Sequence, residues 1–412
     1  MNENNHRRLD MWNEPHRPVY VVWELTLACD QPCTHCGSRA GTAREKELTT
    51  SQAIDVVGQL AELGAKEVVV IGGEAYLHPG FLEIVAALKA ARIRPVMTTG
   101  GRAITAELAR DMARAGLEAV SVSIDGLEET HDLQRAARGS FESATAALGH
   151  LRAAGILTAS NTNFNRHNRG DLEGLYAHLK AQGIRSWQVQ LTVPLGRAAD
   201  RPDLILQPWD LLDLIPRIVA LKEQAFRDGI LIQPSNNVGY FGPEERLLRS
   251  VVPGGRDTWQ ACPAGRYSMG IESDGAVKGC PSLQTSAYVG GNVLERSLRD
   301  IWENTPELAF SRNRTVESLW GFCRTCPFAE SCLAGCTFTS HAILGRPGNN
   351  PYCHFRARTL AKQGKRERLV PAEAAPGAPF DNGRFDLVVE PFDAPDPQPA
   401  RRAARLKVWR EA

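Results

Sequence analysis

Ten cysteines fall into two groups, and their spacing is what metal–thiolate chemistry requires. Cys29, Cys33 and Cys36 read C-x3-C-x2-C, no cysteine lies between 37 and 261, and seven follow between 262 and 353. The thiolate is the form of cysteine that binds metal. Three thiolates on one short loop hold three irons of a four-iron cluster and leave the fourth iron without a protein ligand. That open corner suits a small molecule chelating through an amino and a carboxylate group. Zinc sites instead favour a C-x2-C pair with a distant second pair. Disulfide frameworks belong to small, evenly stapled chains, which this distribution does not resemble.

The chain carrying these cysteines has 412 residues, 43% of them hydrophobic, enough for a full core. Its length suits about two to three domains, or one large barrel with additions. A net charge of +1 gives no bulk attraction for nucleic acid or acidic membrane. There is no apolar run long enough for a transmembrane helix. The start, MNENNHRRLDMWNEPHRP, lacks the apolar segment of a signal peptide. These features predict a cytoplasmic protein with no nucleic-acid or membrane partner.

The elements that position the first cysteines alternate. VYVVWELTLAC (Val19–Cys29) reads as a strand running into the cysteine loop. TTSQAIDVVGQLAELG reads as a helix, capped by Thr49, Thr50 or Ser51 and ended by Gly64. EVVVIGGE is a buried strand opening into a glycine turn. Helices are predicted at 81–91, 104–115, 140–154, 171–182 and 208–228, and strands at 94–98, 119–124, 157–163 and 186–191. Six strand–helix units imply an α/β fold with a parallel sheet and right-handed crossovers. Chemistry is expected at the C-terminal ends of the strands. Residues 229–258 are turn-rich and read as a bridge. After about 365 the composition shifts to Pro, Ala and Arg, which predicts a flexible tail.

From about residue 18 to 355 the chain resembles the radical S-adenosylmethionine (radical SAM) enzymes. The resemblance rests on Cys29/Cys33/Cys36 after the first strand and on Gly72-Gly73-Glu74 after the second. It implies a partial (β/α)6 TIM-like barrel at 18–228, preceded by an extension at 1–17. In that family the GGE segment holds the methionine amino group, and the residue at His35 borders the adenine. A polar residue at the end of strand four, here Ser123, reaches the ribose or carboxylate. Thr99, in MTTGG at the end of strand three, belongs to the same set. Asp125 either does as Ser123 does or caps the next helix. Asn161 and Asn163 either line the substrate side or cap a turn. HDLQRAARGSF resembles a segment of peptide-modifying members, where Arg135 either binds a carboxylate or makes a surface ion pair. Pro194-Leu195-Gly196-Arg197-Ala198 resembles a further stretch of the same subgroup.

The later cysteines read Cys262-x12-Gly275-x4-Cys280, then Cys323-x2-Cys326-x5-Cys332-x3-Cys336-x16-Cys353. This resembles the SPASM domain, a small cysteine-rich α+β unit expected at 259–357, with a tail at 358–412. The resemblance implies two auxiliary iron–sulfur clusters. Cys323, Cys326, Cys332 and Cys353 would hold the outer one, and Cys262, Cys280 and Cys336 the inner one. A non-cysteine group, water or substrate then completes the inner site.

Three [4Fe–4S] clusters and SAM are thus the expected cofactors. The chemistry implied is reductive cleavage of SAM to a 5′-deoxyadenosyl radical that abstracts hydrogen from carbon, in a site positioned by the protein. The SPASM group acts mostly on peptides, so the expected function is maturation of a ribosomally made peptide by crosslinking, oxidation or epimerisation. The expected partners are a peptide or protein substrate and a flavodoxin or ferredoxin reductant; because only about 17 residues precede the barrel, a leader-binding module is expected to be separate or absent. Alternatives are sulfatase-maturase-like formylglycine formation, action on a small molecule or tetrapyrrole, and a non-catalytic metal-binding scaffold.

Overall fold

Apolar residues alternate along the strands, so each strand has one face for helices and one for something else. In the computed structural model, which describes residues 16–397, seven parallel strands form the barrel, most of them with this alternation. They are β1 (Tyr20–Glu24), β2 (Glu67–Ile71), β3 (Arg94–Thr99), β4 (Ala119–Ser123), β5 (Leu157–Phe164), β6 (Ser186–Leu191) and β7 (Leu231–Pro234). Between them run α1 (Thr50–Leu63), α2 (Phe81–Ala90), α3 (Ala106–Ala115), α4 (Glu128–Arg135), α5 (Ser140–Ala153), α6 (Leu172–Ala181) and α7 (Leu211–Arg227). Thr49 and Gln52 form a capping box at the start of α1, and Gly64 ends it in the left-handed conformation.

The convex face packs on the helices: Val68, Val70, Val120, Val122, Trp187 and Val189 are buried in one core with Leu60, Ile84, Leu148 and Leu175. Each such side chain contributes about 1.5–3 kcal/mol. The concave face is more polar, with Ser121, Asn161 and Gln188 among its residues.

The sheet continues past the barrel. β8 (Ser268–Ile271) lies parallel to β1, and β9 (Ala276–Lys278) and β10 (Gly291–Asn292) add antiparallel, giving the order β10-β9-β8-β1-β2-β3-β4-β5-β6-β7. The cysteine-rich unit is thus joined to the barrel through a shared sheet. The predicted count of six strands falls one short, because β7 forms inside the stretch read as a bridge. That strand has four residues and ends in proline, too short for a periodic signal. Short helices follow: α8 (Glu245–Arg249), α9 (Thr285–Tyr288), α10 (Leu298–Asn304), α11 (Pro306–Ala309), α12 (Ala329–Cys332), α13 (Thr337–Leu344) and α14 (His354–Lys362).

The expectation of a flexible tail at 358–412 is corrected over its described part. Residues 365–391 form an antiparallel hairpin, β11 (Lys365–Glu373) and β12 (Arg384–Pro391). Its inward side is partly ionic, so hydropathy does not reveal it. Glu367 pairs bidentately with Arg356 at 2.7 Å on each arm, and the Arg366 guanidinium lies 4.0 Å from the Trp209 ring centroid. The Leu369 N–H donates to Gln207 Oε1 at 2.7 Å. The basic stretch at the C-terminal end lies outside the described residues. No helix among the described residues is long and apolar enough to cross a membrane.

Candidate functional site

The Cys29–Cys36 loop leaves the top of β1 and is gripped from three sides. Its own return pairs Cys29 N–H with Gly41 O at 3.0 Å and Gly41 N–H with Leu27 O at 2.9 Å. From β2, Gly73 N–H donates to Thr26 O at 2.7 Å and Glu74 N–H to Ala28 O at 2.8 Å. This approach admits no side chain. A Cβ on Gly72 would stand 2.4 Å from Thr26 O, and one on Gly73 2.2 Å from Ala28 O. From β6, Arg197 donates through Nε to Cys33 O at 2.7 Å and through Nη2 to Ala40 O at 2.9 Å. Its backbone N–H reaches Cys36 O at 2.9 Å.

The hairpin also touches this loop. Between β11 and β12, Phe380 N–H donates to Gly37 O at 3.1 Å, and Asp381 accepts from Arg39 Nε at 3.0 Å. Sequence reasoning missed both the Arg197 clamp and this contact. The motif around Arg197 was a signal for the first; the second had none.

Ionisable groups gather beside the loop. Glu74 is buried and accepts from Thr99 Oγ1 at 2.5 Å and Gly100 N–H at 2.6 Å. Burial raises its carboxyl to about 7 despite those bonds. Ligand atoms of Cys29, Asp30 and Glu74 lie within 4.8 Å of one another. Asp125 is fully buried, yet its carboxyl is held well below the usual range. Burial pushes it up, but Arg135 at 2.5 Å and His35 at 3.0 Å outweigh that. Arg135 also reaches Cys33 Sγ at 3.6 Å. Its ion pair is therefore internal, not on the surface. Asp125 does not cap α4, whose first turn is preceded by Leu127; its Oδ1 takes the Asn163 N–H at 2.8 Å instead.

The structure thus brings Cys29, Cys33, Cys36, Gly72, Gly73, Glu74, Thr99, His35, Asp125 and Arg135 to one place. Ser123 bonds to Asn161 on the neighbouring strand. Burial pushes the Cys29 thiol up to about 12 and raises Cys33, so these sulfurs stay protonated until a metal displaces the proton.

The seven later cysteines divide in two. Burial raises Cys280 to about 11 and Cys336 to about 12, and the nearby Cys262 adds to both. Burial raises Cys332 and Cys353 likewise, with Cys323 and Cys326 as near neighbours. Cys323, Cys326, Cys332 and Cys353 line one cavity walled by Phe241 and Phe328. Tyr240 stands between the sets: it borders that cavity and accepts the Cys336 N–H at 3.2 Å.

Zinc at about 2.3 Å from each of four sulfurs needs roughly 3.8 Å between sulfurs. Among the described residues no three cysteine sulfurs lie within 4.8 Å of one another. No four-sulfur zinc site is therefore preformed among the described residues. Backbone strain also collects here. Tyr240, Phe241, Ala261, Leu333 and Ala334 have positive φ without being glycine, five of nine such residues among those described.

Comparison with known proteins agrees with this geometry. The model of the radical SAM superfamily matches residues 23–179, and that of the SPASM iron–sulfur cluster-binding domain matches 262–327. Mycofactocin maturase MftC of Mycobacterium ulcerans is 31% identical over 354 residues, which cover 84% of this chain and 91% of that one. The AdoMet-dependent heme synthase of Methanosarcina barkeri is 29% identical over 349 residues, covering 82% and 97%. Among solved structures, Streptococcus suis SuiB bound to precursor peptide SuiA shares the fold at a TM-score of 0.62 and 16% identity, covering 78% of this chain and 72% of that one. Iron–sulfur clusters and SAM follow from the two domains. By these matches the chain belongs to the radical SAM superfamily, as an enzyme whose barrel leads into a SPASM domain.

Proposed function

We propose that this enzyme matures a ribosomally made peptide or protein. In this reading Cys29, Cys33 and Cys36 hold one four-iron cluster, Cys262, Cys280 and Cys336 a second, and Cys323, Cys326, Cys332 and Cys353 a third. When bound, SAM and the first cluster supply one-electron reduction and a radical able to take hydrogen from carbon. The residues around it do the rest. Gly72 and Gly73 let backbone approach the ligand, Glu74 and Thr99 form an acceptor site for an ammonium group, and Arg135 offers a cation to a carboxylate. Asp125 orients both Arg135 and His35.

The observation that carries the reading is the open sheet. Among the described residues β7 pairs only with β6 and β10 only with β9, so the sheet has a free edge beside the site. A long chain can enter and leave along that edge. The similarity to the mycofactocin maturase supports this reading, and that to the heme synthase supports a second one, tetrapyrrole modification. The reductant in this reading is an electron carrier of the flavodoxin or ferredoxin kind.

The test is anaerobic reconstitution, with iron and sulfide counted per chain and 5′-deoxyadenosine assayed after dithionite and SAM. About twelve irons and SAM-dependent product, stimulated by peptide and not by porphyrin, is the expected result. Zinc in place of iron with no 5′-deoxyadenosine overturns it.

A further inference from the structure

The four strands β4 to β7 read AVSVS, LTASNTNF, SWQVQL and LIQP. They contain no ionisable side chain, in a chain that is 23% charged. Their faces are fixed by contacts. Trp187 stacks on Tyr176 of α6 and donates to Thr162, so these residues face the helices. Asn161, Asn163, Gln188 and Gln190, one residue out of phase, therefore face the concave side. Gln233 joins them, because Ile232 lies in the core.

The register sets these residues in rows across the sheet. Ser123 pairs with Asn161, Asn161 with Gln188, and Gln188 with Gln233. Asn163 pairs with Gln190 in a second row. Ser123 and Asn161 bond to each other. The side-chain amides of Asn163, Gln188, Gln190 and Gln233 have no partner among the described residues. Gln188 and Gln233 are exposed, and Asn163 and Gln190 are half-buried.

An exposed strand face in solvent ordinarily carries charge, whereas this one carries unpaired amides, and each amide both donates and accepts. Along one strand they recur every second residue, about 6.6 Å. Along each row, from one strand to the next, they stand about 4.8 Å apart. One row begins at Ser123, and the other at Asn163, whose N–H is bonded to Asp125. The first row ends at the unpaired edge of β7.

We propose that Asn163, Gln188, Gln190 and Gln233 are the substrate-backbone site, holding an extended, uncharged stretch of polypeptide from the β7 edge to the Asp125 network. The inference rests on the peptide reading and deepens it. A ligand bearing several carboxylates finds no counter-ion on these strands. A peptide backbone, neutral and both donor and acceptor itself, finds amide partners along that path.

The test uses the reconstituted holoenzyme with SAM and two probes. One is a fluorescent pool of N-acetylated, C-amidated peptides of neutral sequence, read by anisotropy. The other is iron coproporphyrin III, read by its Soret band. Gln188→Met and Gln190→Met keep volume but remove the amide, and iron content and circular dichroism check their folding. The expected result is peptide binding by the parent enzyme, weakened about tenfold by each substitution, with the porphyrin bound by neither parent nor variant. Peptide binding that folded variants retain in full overturns the inference and leaves the peptide reading standing. Porphyrin binding without peptide binding overturns both.

Discussion

Replacing Gly73 with alanine tests whether the glycine pair exists to let β2 touch the cysteine loop. Gly73 is not among the glycines with positive φ, so alanine meets no backbone penalty there. The effect is one of space. The new methyl would stand 2.2 Å from Ala28 O and 2.7 Å from the Cβ of Cys29. Ordinary contact lies near 3.5 Å, so Ala28 and Cys29 must retreat by about 1 Å. Overpacking of this kind costs about 1–3 kcal/mol, which a barrel of this size survives. A metal ligand does not survive it so well, because ligand distances hold to about 0.2 Å. Gly73→Ala should therefore fold and keep the iron of the two C-terminal cages, but lose about four irons and SAM binding. Iron analysis, electron paramagnetic resonance and SAM titration read this directly. Gly58→Ala is the control: it sits inside α1 with nothing within 4 Å of the added methyl, and should raise stability by about 0.5–1 kcal/mol without changing iron. A Gly73→Ala enzyme with full iron and parental SAM binding would refute the reasoning.

Removing the Arg197 guanidinium takes away two donors to the loop backbone; Arg197→Ala should release N-terminal iron to a chelator several-fold faster than the parent, and equal rates would count against the clamp. Cys280→Ser and Cys332→Ser should each abolish one auxiliary signal and spare the other, since the proposed assignment puts their sulfurs in different clusters; loss of both signals in either variant would mean one shared centre. Asp381→Asn weakens the link from the hairpin to Arg39 and should speed hydrogen exchange at residues 37–39 and 377–382 together. Burial, reinforced by Arg135, lowers the His131 pKa to about 3 from 6.5. The unfolded chain therefore takes up a proton near 6.5 that the native state refuses. Stability from this group is full above about 6.5 and falls towards pH 3 by up to about 1.4 kcal/mol per unit. His131→Asn should flatten that slope in urea melts of the apoprotein.

The cysteine pattern was legible because metal ligation imposes spacing within short segments. The loop between β1 and α1 carries one set, and turns between α11 and α14 supply most of the others. The barrel was legible for a similar reason: α1 shows its capping box and terminal glycine, and β2 its β-branched run, all within a few residues. Where stability comes from pairing across the chain, the sequence is mute. The hairpin buries Arg366 and Glu367, whose partners Trp209 and Arg356 lie far away or on another element. The Asp125 network draws on the cysteine loop, the end of β4 and α4, and no periodicity announces it.

The concave face shows the same limit in a form that matters for function. Asn161 and Asn163 left line-the-site and cap-a-turn readings open in the sequence. The cap reading fails for a local reason: the turn after β5 is held by Asn165 and Asn168, with Asn168 Oδ1 accepting the Asn165 N–H at 2.7 Å. That frees Asn163, and the register then aligns it with Gln190. Charge is partitioned along the same strands. Glu74, Asp125, Arg135 and His35 crowd the C-terminal ends, where a zwitterionic ligand needs them, while β4 to β7 below carry none. A charge placed on that wall would compete with Arg135 and Glu74 for the ligand's own charged groups at low dielectric. On the proposed reading, the neutral wall would let a charged cofactor and a polar substrate share one open barrel without exchanging places.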